Sequence, residues 1–145
     1  MKIKASAALA LCVLMTACGT TQVPSADAAA VAAGTKALLR TFNQPLLASM
    51  ILGEEPVTQI IAVDGRKLDS QILKLDEAIA LDVGPHEVAF SCVWRGGPDE
   101  RDYSETMRLN LKPHHEYLVR CSFDTDFGAD GTYKGSFSVK EQRAE

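Results

Sequence analysis

Beyond residue 57 the chain alternates between apolar and polar positions with a period of two, the spacing that sends successive side chains to opposite faces of a β-strand. In one run Val88, Phe90, Cys92 and Trp94 share a face, and Glu87, Ala89, Ser91 and Arg95 share the other. Tyr103, Met107, Leu109 and Leu111 alternate with Ser104, Thr106, Arg108, Asn110 and Lys112. After Pro113 the rhythm returns with Tyr117, Val119, Cys121 and Phe123 inward. A last strand is predicted around Tyr133, Phe137 and Val139, and earlier ones at Val57–Val63 and over Ile79, Leu81 and Val83. Asp64-Gly65 predicts a tight turn, Gly84-Pro85 a reversal, and Gly96-Gly97-Pro98-Asp99-Glu100 a polar loop. About six to eight short strands, each with one wet face, predict a mainly β domain over residues 36–145: a small antiparallel β-sandwich, or a small barrel.

Upstream the pattern is less regular. Residues 36–55 are rich in Leu, Ile, Met and Phe without a clean period, and Pro45 interrupts any single helix. A strand or short helix packed on the sheet is expected there. Residues 18–35 read as a tether of Gly, Thr, Ser, Pro and Ala. Ser25 can cap a short helix over 26–33, with Asp27 in its first turn and Gly34 at its end. As a coil, a segment of this length reaches roughly 20–25 Å.

Residues 1–17 have three zones: Lys2 and Lys4, an uncharged apolar run from about Ala5 to Met15, and the small pair Thr16-Ala17. That is the layout of a secretory signal peptide, too short in its apolar part for a permanent transmembrane helix. Its end, Leu14-Met15-Thr16-Ala17-Cys18-Gly19, resembles the lipobox of bacterial lipoproteins. The resemblance implies cleavage before Cys18 and acylation of that residue with diacylglycerol and palmitate-type chains. Met15 stands where Leu is commonest, and Cys12 competes poorly behind bulky Leu11. Each buried methylene contributes about 0.8 kcal/mol, so several acyl chains would hold the protein to a membrane. By resemblance to Gram-negative lipoproteins, Gly19 rather than Asp after Cys18 implies the outer membrane, facing the periplasm.

Cleavage removes two lysines and no acid, leaving 128 residues with 13 basic against 19 acidic side chains, a net charge of −6. An acid excess argues against nucleic acid as a partner and against a polybasic membrane contact. Two cysteines then remain in an oxidising compartment. Cys92 and Cys121 both fall on inward faces, so a disulfide is expected, with a pair of buried thiols as the alternative. Closing a loop of this size would stabilise the fold by roughly 3–4 kcal/mol. First and third strands of a meander lie about 9.5 Å apart, beyond the roughly 7 Å that a bridge tolerates. The two strands should therefore be direct neighbours or face each other across the sandwich.

His86, His114 and His115 begin two strands, and zinc is conceivable if those ends meet. The histidines sit beside prolines, however, with only Glu87 and Glu116 as neighbouring carboxylates, so exposed turn residues and no metal are expected. Asp124, Asp126 and Asp130 lie in one loop, but Gly128 replaces an EF-hand ligand and no closing glutamate follows. A hairpin loop is expected instead. No Gly-x-Ser-x-Gly elbow, phosphate loop or dinucleotide fingerprint occurs. Neither a catalytic set nor a cofactor is therefore expected.

Two segments share the order His-Glu-apolar-x-apolar-x-Cys, at His86–Cys92 and His115–Cys121. Shared turn and alternation rules explain them, with internal duplication as the alternative. Val63-Asp64-Gly65, Leu81-Asp82-Val83-Gly84-Pro85-His86-Glu87-Val88 and Leu111-Lys112-Pro113-His114-His115-Glu116-Tyr117-Leu118-Val119 together resemble small PEGA-like or prealbumin-like β-sandwich modules of bacterial surface proteins. The likeness covers residues 57–123 and departs at Pro85. It implies a binding or scaffolding module with an envelope protein as partner. The alternative is a periplasmic inhibitor of a cationic hydrolase such as a lysozyme, and an enzyme ranks behind both.

Overall fold

The computed structural model describes residues 25–43, 55–68, 78–94, 100–124 and 133–144. The leader, Cys18 and most of the Asp124–Asp130 loop lie outside the described residues. A short helix, α1 (Ser25–Ala32), precedes eight strands. These are β1 (Lys36–Thr41), β2 (Val57–Val63), β3 (Arg66–Lys67), β4 (Ala78–Asp82), β5 (Gly84–Trp94), β6 (Arg101–Leu111), β7 (His115–Phe123) and β8 (Gly135–Arg143). One sheet runs β4-β1-β7-β8 and the other β3-β2-β5-β6, so the expected small β-sandwich is observed, with eight strands.

Alternation explains the layers. Val88, Phe90 and Cys92 of β5 face Tyr117, Val119 and Cys121 of β7, and all six are buried. Ala37 and Leu39 of β1, Ile60 and Val63 of β2, and Leu109 and Leu111 of β6 complete the core. Burying each large apolar side chain contributes about 1.5–3 kcal/mol. Along one edge Phe137 of β8 packs between Phe90 and Tyr103, with ring centroids 5.6 Å from each. A side chain at Gly135 would collide with Tyr103, so glycine lets the two sheets close there.

Three expectations change. Residues 36–41 form a central strand that pairs with β7 in parallel, so that sheet is mixed, not wholly antiparallel. Gly84-Pro85 is not a turn: the corner falls at Val83, and Gly84 and Pro85 already pair with Leu111 and Asn110. Proline is tolerated because β2 pairs with β5 only from Val88 onward, leaving no ladder bond for it to donate. The run 57–63 hides its alternation because the register shifts between Ile60 and Ala62, a bulge that turns Val63 inward.

The expected helix is present and does not hang free. Gly34 adopts φ +74° and closes it, with Thr35 N–H donating to Ala30 O at 3.0 Å and Gly34 N–H to Val31 O at 3.0 Å. That pair of bonds is a Schellman cap. Val31 is buried, the helix rests on β1 and β4, and Lys36 pairs with Asp27 at 3.2 Å. A side chain at Gly34 would stand 2.6 Å from His114 Nε2, so the cap also needs glycine for close approach.

Candidate functional site

Strand direction divides the sandwich into two ends. At the helix pole lie α1, the Asp64-Gly65 turn, the Val83 corner, the Pro113-His114 turn and the end of β8. At the opposite pole lie the end of β1, the starts of β2, β6 and β8, and the ends of β5 and β7.

The helix pole gathers the three histidines without uniting them as ligands. Asp64 (φ 49°) and Gly65 (φ 76°) form the expected tight turn. Its carboxylate accepts the Glu87 N–H at 2.9 Å and meets His86 Nδ1 at 2.7 Å. His86 Nε2 lies 2.8 Å from the Asp82 carbonyl oxygen. The sequence reading paired these histidines only with Glu87 and Glu116; the turn instead folds Asp64 onto His86, which is 14 % exposed. Both ring nitrogens face acceptors, so only the imidazolium satisfies both. Burial disfavours that charge, but the hydrogen bonds to Asp64 and Asp82 and the Asp64 charge outweigh it and raise the pKa. The Glu87 N–H, then His86, hold the Asp64 carboxyl below its usual range. His86 clasps two turns.

His115 Nδ1 lies 2.7 Å from the Pro113 carbonyl, and its Nε2 is 3.5 Å from Glu141. His114 is exposed in a left-handed turn (φ 59°). Among the described residues no cluster of three or more His, Cys, Asp or Glu is placed to hold a metal ion. Tyr117 fastens the neighbouring corner, its hydroxyl accepting from Lys112 N–H at 3.0 Å and donating to Asn110 O at 3.3 Å.

The opposite pole holds an open groove of about 470 Å³. Pro56, Trp94 and Phe123 supply apolar walls, Cys121 lies at its floor, and Glu55, Arg101, Arg120 and Asp124 supply charge. Cys121 is bridged to Cys92 across the two sheets, with Cα atoms 5.8 Å apart. The expected pairing and its facing-strand geometry are therefore both present. Arg101 lies over two rings, its guanidinium carbon 4.0 Å from the Trp94 centroid and 3.2 Å from the Tyr133 centroid. Its Nε is buried and makes no hydrogen bond among the described residues. Arg120 differs: its Nη2 lies 2.6 Å from both carboxylate oxygens of Glu55.

Below the groove a buried polar clasp joins the sheets. The Asn43 amide accepts from Thr58 N–H at 2.7 Å and donates to Thr58 O at 3.1 Å, acting as one more rung of strand pairing. Thr58 Oγ1 in turn accepts the Cys121 N–H at 2.9 Å. Sequence reasoning missed Asn43, Thr58 and the Arg101 stack. The one available signal was Trp94, the single tryptophan, at the end of an inward-facing row.

No protein-family model matches the chain, and no curated protein or solved structure matches it. No helix among the described residues is long and apolar enough to cross a membrane.

Proposed function

We propose that this chain is a membrane-anchored envelope lipoprotein whose β-sandwich is a non-enzymatic binding or supporting module. The observation that carries the reading is the leader, a basic and apolar segment that runs into Leu14-Met15-Thr16-Ala17-Cys18. Gly19 favours the outer membrane with the domain in the periplasm. The arrangement of the two poles agrees with it. Helix α1 packs at one end of the sandwich, and the groove lies at the other.

Palmitate labelling in a Gram-negative host tests the anchor. The natural chain should take up label and sediment with membranes, and Cys18→Ser should do neither. Unlabelled natural chain, or equal membrane recovery of both, overturns the reading. The hydrolase-inhibitor alternative rests on the acid excess of the mature chain. Lysozyme assayed with added protein decides it, since undiminished activity removes that alternative.

A further inference from the structure

The two arginines of the groove differ in one respect. Arg120 is neutralised by Glu55, both carboxylate oxygens being 2.6 Å from one of its nitrogens. Arg101 has no acid partner among the described residues; its guanidinium carbon lies instead over the rings of Trp94 and Tyr133. Stacking covers the faces of a guanidinium and leaves its in-plane N–H groups as the donors, so the fork is oriented without being consumed. The buried, unpartnered Nε sits on that same fork. A planar carboxylate pairs with the in-plane N–H groups of a guanidinium through two parallel hydrogen bonds.

We infer that the groove is a binding site for a carboxylate carried on an apolar or aromatic group, with Arg101 as its anchor. Charge sets the preference for a single negative charge. Glu55 and Asp124 balance Arg101 and Arg120 around the groove, and of the two arginines only Arg120 is held in an ion pair among the described residues. A doubly charged phosphate would meet those same acids. Pro56, Trp94 and Phe123 supply a wall for the apolar part. The volume, about 470 Å³, lies within the range of small-ligand pockets. A free organic acid and the C-terminal residue of a peptide present this same chemistry. The inference deepens the reading of the sandwich as a binding module and does not depend on acylation at Cys18.

Trp94 is the single tryptophan of the chain, so its fluorescence reports on the groove directly. The full chain, purified in detergent, is titrated with N-acetylphenylalanine, with its amide, with phenyl phosphate, and with a short peptide ending in phenylalanine. Saturable change in Trp94 emission is expected with the acid. The amide and the phosphate should bind at least about tenfold more weakly. Arg101→Lys keeps the charge but loses the fork and should weaken the acid by about tenfold. Arg108→Met, far along β6, should leave binding unchanged. A peptide at least tenfold tighter than N-acetylphenylalanine identifies a chain terminus as the ligand, and equal affinity identifies a free acid. The inference is overturned if acid and amide bind alike, if phenyl phosphate binds as well as the acid, or if no titration saturates in the millimolar range. The acid–amide comparison uses the unaltered chain, so a folding defect in a variant cannot obscure it. Failure here leaves the palmitate experiment untouched.

Discussion

At the helix pole the chain reverses in short, fully bonded corners. Asp64-Gly65 takes two residues, Val83 takes one, and Lys112-Pro113-His114 takes three. Each is fastened by its own contacts: Asp64 with His86 and Glu87, Val83 N–H with Thr35 O, Tyr117 with residues 110 and 112, and Ala144 N–H with His114 O. At the groove pole the described strands end at Thr41, Trp94 and Phe123 and begin at Val57, Arg101 and Gly135. What the structure places there is a side-chain assembly: a stacked arginine, an ion pair, a disulfide and the Asn43–Thr58 clasp. The difference teaches a division of labour within one sandwich. Short backbone-bonded corners hold the register at one end, whereas side-chain contacts between the sheets dominate the other.

The sharpest way to break that contrast is to remove the disulfide. Cys92→Ala with Cys121→Ala should lower stability by about 3–4 kcal/mol, a fall in melting midpoint of roughly 10–20 °C. Hydrogen exchange should then accelerate at the amides of Thr58, Cys121 and Phe123 while Glu87 and Ala144 keep their protection. Equal loss at both ends would mean that the sandwich opens as one unit and that the poles are not energetically distinct.

Asn43→Ala acts at the same end with a smaller effect. It strips partners from the buried N–H and C=O of Thr58 and should cost about 1–3 kcal/mol in denaturant unfolding. A loss below that range would show that water replaces the amide.

The third and smallest test concerns the helix pole and is read through pH. The raised pKa of His86 means that its contribution is complete below the ordinary histidine value of about 6.5 and fades as pH rises through the raised value. The lowered pKa of Asp64 means that its contribution is complete above about 3.9 and is lost as pH falls through the lowered value. The midpoint difference between the natural chain and His86→Gln should therefore be widest between those limits and shrink on both sides. A difference that is flat with pH would show that His86 acts by packing alone.

Much of this architecture was legible because it is local. The rows Val88–Trp94 and Tyr117–Phe123 announce their inward faces residue by residue, and Asp64-Gly65 announces its turn. Inward rows that contain Cys92 and Cys121 then constrained the strands to be neighbours or to face each other. What stayed hidden was non-local or ran against type. The parallel pairing of β1 with β7 joins segments about eighty residues apart by backbone bonds that no side-chain pattern encodes. Trp94, Arg101 and Tyr133 come from three separate elements or connections, so nothing in their spacing announces a stack. Thr58 reads as one polar interruption in an apolar run, although it is among the most buried side chains of the core. The His-Glu-x-x-x-x-Cys segments mark the two facing strands, yet β2 runs antiparallel to β5 while β1 runs parallel to β7, so the likeness stops at the strand itself.

The central position of β1 has a mechanical meaning. The strand leaves α1 and runs toward the groove pole between β4 and β7, bonded on both sides. A pull on the N-terminus against a load held in the groove would run along the strand axis. The rungs on either side of β1 would then share that load in shear, where peeling from an edge would break them one at a time. A domain held by its N-terminus and loaded at its far end would in this way be clamped by a strand with one antiparallel and one parallel neighbour.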